Sequence, residues 1–362
     1  MKSKVILFVV LLILAGQALA NGKMEKYAIG FYNLENLFDT IHDEGKMDSA
    51  FLPKGSYKWD TERYQLKLHN LAKVLGQLGT DSIADGCAVI GVAEVENSRV
   101  LDDLCAQPPL KKKNMRYEHI EGPDVRGIDC ALLYDPSVFN VRDTKLVPYV
   151  QVLEKDSNYF TRGFFIVSGT LAGEHLTVVV NHLPSRYSEE FYRKLGAKQL
   201  RVVVDSLLKD DPKLKLIVMG DMNDDPMDES MAIDLGAKRY PWEVKNREDL
   251  YNPFWNTLVE GHGTLEYMGR WNLFDQIILS KSIVDNSKRP KYKSLTLYGH
   301  NVFCRDYMLE PDGPFKGTPL RTIIGSKWLK GYSDHLPTVV YLMKNEEIDI
   351  KNPSTNHHSA GF

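Results

Sequence analysis

The sequence contains few cysteines and no motif that groups them. The four are Cys87, Cys105, Cys130 and Cys304, with no Cys-x-x-Cys pair among them. Because an HExxH motif is also absent, a zinc site is disfavoured. In an exported protein these residues could form up to two disulfides, with three pairings open. The alternative is that all four are small buried hydrophobic residues.

Other common motifs and an excess of positive charge are also missing. The absence of GxxxxGK, GxGxxG and GxSxG argues against nucleotide kinases, dinucleotide enzymes and serine esterases. The chain has 45 Lys and Arg against 48 Asp and Glu, a formal charge of −3. A protein that grips nucleic acid mainly through its phosphates usually has a basic excess, so a polyanion here would need a local basic patch or a bound cation.

Long hydrophobic runs are confined to residues 5–15. Eleven residues are too few to cross a bilayer, which takes roughly 20, so no stable membrane span is predicted. Lys2 and Lys4 precede the run and Ala18 and Ala20 follow it, which is the order of a cleaved signal peptide. We therefore expect residues 1–20 to direct export to the periplasm or the medium, although a buried N-terminal strand is the alternative. The mature chain would carry 43 − 48 = −5 formal charges.

The rest of the chain has the composition and patterning of a globular protein. It is 43% hydrophobic and 26% charged over 362 residues, which excludes a disordered polymer. We predict one domain over residues 21–345 and a polar tail over residues 346–362. Helices are expected at residues 61–78, capped by Asp60 or Thr61 and closed by Gly79, and at residues 188–209. Residues 228–270 look irregular and aromatic. Apolar segments predict strands at residues 27–32, 87–93, 131–135, 164–171, 176–182, 214–219, 274–280 and 337–343, with a hairpin turn at 172–175.

Polar side chains stand at the ends of these strands. Because buried strands fix their end residues, side chains at neighbouring strand ends can converge on one pocket. A pocket rich in carboxylates is costly unless a positive charge occupies it, and oxygen ligands favour Mg²⁺, with Mn²⁺ or Ca²⁺ as alternatives. Alone, each motif could be an ordinary strand cap or turn. The residues are Asn33, Glu35, Glu94, Asn181, His182, Asp221, Asn223, Asp275, Asp334 and His335.

The ordered series NLEN, AEVEN, NHLPSR, GDMND, FDQIILS and SDHLP resembles the endonuclease/exonuclease/phosphatase superfamily over residues 27–343. That superfamily includes pancreatic deoxyribonuclease, abasic-site endonucleases, bacterial sphingomyelinases and inositol-phosphate phosphatases. The resemblance implies an α/β fold, a four-layered α/β/β/α sandwich of two packed mixed sheets flanked by helices. It also implies an active site at one edge of the paired sheets.

The resemblance further implies a role for each of these residues except Asn181. Glu94 would be the principal metal ligand, with Asn33 and Glu35 flanking the metal and Asp334 as a further carboxylate near it. Asp221 would orient or deprotonate the attacking water. His335 would bond to the phosphoryl group, with Asp275 aligning its ring, and Asn223 would hold the water or a phosphate oxygen. His182 would assist the leaving group. No acidic partner for His182 is evident near residues 162–164.

Three arginines near these motifs, Arg126, Arg162 and Arg186, could contact phosphate, or could be exposed solubilising charges. The aromatic residues of the irregular segment could stack on a substrate or pack beneath a loop. The prediction is an exported, metal-dependent phosphodiesterase that hydrolyses DNA or RNA by in-line attack of water, and acts as a monomer without a protein partner. The alternatives are an enzyme for a lipid or small phosphoester and a non-catalytic module that binds polyanions or glycans.

Overall fold

The computed structural model describes residues 23–149, 161–211, 213–287 and 290–346. The predicted signal peptide at residues 1–20 lies outside these ranges, as does the predicted polar tail beyond residue 346. Within them, every helix is too short or too polar to cross a membrane. The two ends of the described chain meet, because the first strand pairs antiparallel with the last one, from Lys23 opposite Glu346 to Phe31 opposite Thr338.

The first sheet has six strands and the order β14-β17-β1-β2-β4-β3. Its centre is the parallel pair of β1 and β2, of which β2 is almost fully buried and β1 is buried from Ala28 onward except at Asn36. Antiparallel strands flank this pair on both sides, so the sheet is mixed. The strands are β1 (Lys23–Leu37), β2 (Cys87–Val95), β3 (Arg116–His119), β4 (Asp129–Tyr134), β14 (Thr296–Val302) and β17 (Thr338–Glu346).

The second sheet has seven strands and the order β5-β6-β7-β8-β13-β10-β9. It is also mixed, since β7 and β8 are parallel while β13 runs antiparallel to β8. Two two-stranded ribbons, β11-β12 and β15-β16, lie outside the large sheets. The strands are β5 (Phe139–Val147), β6 (Phe164–Leu171), β7 (Glu174–His182), β8 (Lys215–Asp221), β9 (Ala237–Lys238), β10 (Leu250–Tyr251), β11 (Leu265–Tyr267), β12 (Arg270–Asn272), β13 (Asp275–Ser280), β15 (Ile323–Ile324) and β16 (Lys327–Trp328).

The helices begin and end close to where the sequence signals indicated. In α1, the Asp60 carboxylate accepts a hydrogen bond from the Arg63 N–H, and Gly79 follows the helix with a φ of +83°. In α4 the buried stripe contains Leu200, Val204 and Leu208, one residue later than the predicted Val203 and Leu207, which lie at its margin. The helices are α1 (Thr61–Gln77), α2 (Ser98–Cys105), α3 (Pro108–Lys112), α4 (Glu190–Asp210) and α5 (Phe254–Val259).

Three apolar layers separate four layers of secondary structure. Side chains alternate along each central strand, so Ile217 and Met219 of β8 face the first sheet while Leu216 and Val218 face α4. Likewise α1 to α3 pack on the outer face of the first sheet. The predicted α/β/β/α sandwich is therefore confirmed.

The remaining differences from the sequence predictions are local. The segment at residues 228–270 is not irregular throughout, because it contains a π-helical turn at Ser230–Asp234, α5 and short strands of the second sheet. The predicted hairpin turn shortens to Ala172 and Gly173, both with positive φ. All four cysteines are free thiols, and Cys87 and Cys130 are buried, so the structure favours the hydrophobic alternative over disulfides.

Candidate active site

Polar residues from five strands, β1, β2, β7, β8 and β13, meet at one edge of the sandwich. In the second sheet, His182 of β7 pairs with Asp221 of β8, and Asp275 of β13 pairs with Asp221 from the other side. Gly220 is required at this point, since a Cβ there would lie 2.0 Å from the Asn181 carbonyl oxygen. The strand pairing therefore brings two carboxylates and an imidazole together.

Asn33 joins the two sheets. Its buried side-chain amide donates hydrogen bonds to Glu94 Oε1 at 3.2 Å and to Asp221 Oδ2 at 3.0 Å. The other Glu94 oxygen accepts the Asn36 N–H at 2.8 Å. Glu94 and Asp221, predicted as metal ligand and base, thus lie on either side of one amide group.

His335 approaches Asp221 from the loop before β17. Its Nδ1 lies 2.7 Å from Asp275 Oδ2, and its Nε2 lies 3.8 Å from Asp221 Oδ2. Burial alone would lower the pKa of His335, but the Asp275 and Asp221 carboxylates outweigh burial and raise the pKa well above its usual value. His335 is therefore a cation at neutral pH.

His182 lies on the other side of Asp221 and has the opposite protonation state. Its Nε2 is 3.5 Å from Asp221 Oδ2 and 3.9 Å from Glu94 Oε1. Burial, and then the positive charges of Arg162 and Arg126, lower its pKa well below the usual value. Its buried Nδ1 has no hydrogen-bond partner in the described residues, so the structure supplies no acidic partner for it either. Asp221 is therefore flanked by one charged and one neutral imidazole.

Glu35 and Asp334, also predicted near the metal, are already paired with cations. Glu35 accepts the Thr322 N–H at 2.6 Å and lies 3.5 Å from Lys67 Nζ. Arg321 bridges Glu35 and Asp334 through Nε and Nη2. Whether the two carboxylates also bind metal stays a prediction.

The sequence analysis missed Lys67 and Arg321. Lys67 occupies the apolar face of α1, three residues after Tyr64 and four before Leu71, and is only 1% exposed. A lysine at a buried helical position was the signal available in the sequence, because such a charge needs a partner. Arg321 has no comparable signal, since it lies in a loop that only the fold brings to the site.

The three arginines predicted to bind substrate have different environments. Arg162 is 4% exposed, and it bonds Asp124, the His182 carbonyl and the Leu183 carbonyl, so a phosphate contact would require it to leave these partners. Arg186 bonds the Asn223 carbonyl, bonds Asp228 at 2.8 Å and lies over the Phe274 ring.

Arg126 is half exposed beside Asp124. Of the three, it is the one whose guanidinium is best exposed to a ligand. The substrate contact stays a prediction for all three arginines.

Several site residues have left-handed backbone conformations, which are unfavourable without glycine. The φ angles are +50° for Glu35, +55° for Asn36, +63° for Glu94 and +51° for Asn223. Each left-handed residue other than glycine costs roughly 1 kcal/mol or more, less for asparagine. In Asn223 this conformation lets the backbone N–H bond Asp221 Oδ1 while the side-chain amide bonds the Leu183 carbonyl.

The donor set fits a divalent cation. Ligand atoms of Asp221, Asp275 and His335 lie within 4.8 Å of one another, and Asp275 Oδ1 is buried without a partner in the described chain. Burial raises the pKa of Asp221, and Asp275 and Glu94 add to the rise while His335 opposes it, so a bound cation would stabilise the ionised form of this carboxylate. Because Asp275 Oδ2 already pairs with His335 Nδ1, the Glu94 side of Asp221 is a second position for the cation, and Glu94 as its principal ligand stays a prediction.

The sequence profile of the Endonuclease/Exonuclease/phosphatase family matches residues 28–344. This chain belongs to that family. It is therefore a hydrolase of phosphoric ester bonds, the chemistry shared by the enzymes for which the family is named. No curated protein sequence matches it significantly.

Solved structures of this family share the fold at low sequence identity. A Bacteroides thetaiotaomicron endonuclease/exonuclease/phosphatase family protein is 17% identical, with a TM-score of 0.52 over 90% of this chain and 98% of its own. A mannosyl-6-phosphatase of the same species is 16% identical, with a TM-score of 0.51 over 87% of this chain and 99% of its own. The human nocturnin catalytic domain is 15% identical, with a TM-score of 0.51 over 90% of this chain and 98% of its own.

Proposed function

We propose that this protein is a divalent-metal-dependent phosphodiesterase that is exported and cleaves nucleic acid by attack of water. The observation that carries the proposal is the arrangement around Asp221, which has His335 on one side, His182 on the other, and Glu94 across the Asn33 amide, with the pKa of His335 raised and that of His182 lowered. Groups with opposite protonation states beside one carboxylate are typical of acid–base sites.

Each of the residues around Asp221 can perform one part of phosphodiester hydrolysis. A divalent cation held by Glu94, with Mg²⁺ as the expected ion, would supply positive charge to the non-bridging oxygens of the phosphate. The Asp221 carboxylate, fixed by the Asn33 amide and the Asn223 N–H, is placed to take the proton of the attacking water. His335 offers Nε2–H to the oxygen where negative charge develops.

His182 contributes a hydrogen bond. Because Nδ1 has no partner and Nε2 faces two carboxylates, the proton of the neutral ring belongs on Nε2. That N–H points towards the region between Glu94 and Asp221, where it can bond a phosphate or leaving-group oxygen. Arg162 donates a hydrogen bond to the His182 carbonyl at 3.2 Å and so fixes the backbone that carries the ring.

An aromatic cleft next to Glu35 favours a nucleic acid substrate. It has a volume of about 330 Å³, and Phe51, Tyr57, Trp59 and Tyr187 line it together with Arg321. Tyr187 is 94% exposed, so its ring is free to meet a ligand. A nucleobase can stack on an exposed ring such as that of Tyr187, at roughly 1–3 kcal/mol per base, whereas Trp59 is fully buried.

A second cleft favours the alternative, a small phosphoester. It has a volume of about 320 Å³ and shares Arg321 and Asp334 with the aromatic cleft. Glu266, Glu310 and Asp312 line it, with Lys327 as a further cation. Carboxylates repel a continuing phosphate backbone but accept hydrogen bonds from hydroxyl groups, so this cleft suits an uncharged polyol arm.

The test is a substrate panel with the chain from residue 21 onward. Plasmid DNA, RNA, sphingomyelin, a bis-aryl phosphodiester and an aryl phosphomonoester are incubated with Mg²⁺, with and without a chelator. Cleavage of DNA or RNA that stops on chelation supports the nuclease. Turnover confined to sphingomyelin or the aryl esters supports the alternative. If every substrate stays intact, the proposed nuclease and the phosphoester alternative both fail, and a binding module remains.

The proposed export is tested on the full chain. Expression in a bacterial host should yield a product in the periplasm or medium that has lost its N-terminal residues, as mass spectrometry would show. A full-length cytoplasmic product would contradict export while leaving the proposed chemistry intact.

A further inference from the structure

Arg321 holds together the two carboxylates at the mouth of the site. Its Nε lies 3.3 Å from Glu35 Oε1, and its Nη2 bonds Asp334 Oδ2. The Glu35 carboxylate is itself fixed by the Thr322 N–H and by buried Lys67. The guanidinium is therefore oriented by charged partners on two of its three nitrogens.

Asp334 places Arg321 beside His335. One oxygen of the Asp334 carboxylate bonds Arg321, and the other lies 3.8 Å from His335 Nε2. A single carboxylate therefore lies between the Arg321 guanidinium and the His335 imidazole at the same opening. An anion bound at His335 Nε2 would therefore lie close to the Arg321 guanidinium.

Arg321 also keeps donors available. Its side chain is 39% exposed and borders both clefts, whereas Arg162 is buried and Arg186 is 23% exposed with all three guanidinium nitrogens bonded. No hydrogen bond of its Nη1 is found in the described residues. A guanidinium with two donors free at an opening is well suited to bind phosphate oxygens.

We propose that Arg321 binds the phosphoryl group of the substrate, and that Glu35 and Asp334 act as positioning residues that aim its guanidinium. The inference rests on the proposed phosphoesterase function, which it deepens by assigning the phosphate contact to an arginine outside the sequence motifs. It also gives Glu35 a role that does not depend on metal binding.

The test compares Arg321→Met and Arg321→Lys with the control Arg305→Met. Arg305 pairs with exposed Asp81 and lies over Phe303, outside both clefts, so its loss removes an equal charge elsewhere. Binding of inorganic phosphate is measured by calorimetry at saturating Mg²⁺, and the Mg²⁺ dissociation constant is measured separately by thermal shift. Melting temperatures establish that each variant is folded, and Arg321→Lys serves if Arg321→Met is not.

We expect the phosphate dissociation constant to rise at least tenfold in Arg321→Met, less in Arg321→Lys, and to stay unchanged in Arg305→Met. KM for the active substrate should rise in parallel. If only the Mg²⁺ dissociation constant rises while phosphate binding is unchanged, Arg321 merely supports metal-binding carboxylates and the inference is wrong. Phosphate binding measured by calorimetry does not depend on turnover. A wild-type protein that is inactive would therefore contradict the proposed function alone. A wild-type protein that binds no phosphate would contradict this inference.

Discussion

The Nδ1 atom of His335 lies 2.7 Å from Oδ2 of Asp275, although the two residues are 60 positions apart in the sequence. Both side chains are buried, and the second oxygen of Asp275 has no partner in the described chain. A buried carboxylate with a single hydrogen-bond partner interacts strongly with that partner, because little solvent screens its charge. The pair therefore keeps His335 protonated where burial alone would neutralise it.

This pair predicts the effect of two substitutions. His335→Ala should lower kcat about a hundredfold to ten-thousandfold, because it removes the cation that stabilises developing charge. Asp275→Asn should retain the ring position but lower the His335 pKa. Since the active form needs protonated His335, the alkaline limb of the pH–rate profile should move to lower pH in Asp275→Asn. An unshifted alkaline limb would mean that Asp275 does not set the charge of His335.

The position of Glu94 predicts how a metal affects stability. A cation that binds only the folded protein stabilises it by about 2.7 kcal/mol at a hundred times its dissociation constant. Mg²⁺ should therefore raise the melting temperature of the wild type by several degrees, and a chelator should reverse the rise. Glu94→Gln should abolish the response. Glu118→Gln, on β3 beside Tyr134, is the matched control and should respond like the wild type. An intact response in Glu94→Gln would place the cation elsewhere.

The environments of Arg162 and Arg126 predict unequal costs for the same substitution. Both pair with buried Asp124, but Arg162 is buried and Arg126 is half exposed. Arg162→Met removes the buried ionic partner of Asp124 and the donor to the His182 and Leu183 carbonyls, and should lower the free energy of unfolding by about 3–5 kcal/mol. Arg126→Met should cost about 0–1 kcal/mol. Urea unfolding of the two variants measures both values, and equal costs would contradict the structural role of Arg162.

Glu96 predicts a dependence of stability on pH. Burial raises its pKa to about 8, and the charges of Asp39, Asp43 and Asp48 add to the rise although the Asp39 N–H opposes it. The folded state binds the Glu96 proton more tightly than the unfolded state does, so protonation of Glu96 raises the free energy of unfolding. This contribution is complete below the unfolded pKa of about 4.3 and is lost as pH rises through about 8.

Wild-type protein should therefore lose on the order of 1–3 kcal/mol from this group between pH 5 and pH 8.5. Glu96→Gln keeps an oxygen to accept the Asp39 N–H and should lack this loss. Urea unfolding at the two pH values measures the difference. The same pH dependence in both proteins would show that Glu96 is already ionised in the folded state.

The strands that carry the site could be predicted because they are buried on both faces. β2, β7 and β8 are continuous apolar segments, and each ends where polar residues begin, so the positions of Glu94, His182 and Asp221 follow from the sequence. The edge strands could not be found in this way. β5 and β14 contain half-exposed polar residues, and pairing with β6 and β17 rather than local hydrophobicity makes them strands.

The arginine environments could not be predicted, for a different reason. Whether Arg162 is buried or Arg321 reaches Glu35 depends on contacts between residues far apart in the chain, and a motif carries no information about such contacts. The separation of 286 residues between Arg321 and Glu35 illustrates this. A sequence pattern identified the carboxylates, while only the fold shows which cations compensate them.

The left-handed backbone at Glu35 and Glu94 lowers the stability of the fold at positions where the side chains are needed for activity. Selection for heat resistance and selection for turnover therefore favour different residues there. Glycine adopts these φ values without steric penalty, so Glu94→Gly would relieve local strain and also remove one charge from a crowded acidic group. Libraries screened only for heat resistance should therefore enrich glycine at position 94 and lose hydrolysis as they do. Thermostable descendants of this protein are best sought by changing residues distant from this edge of the sandwich.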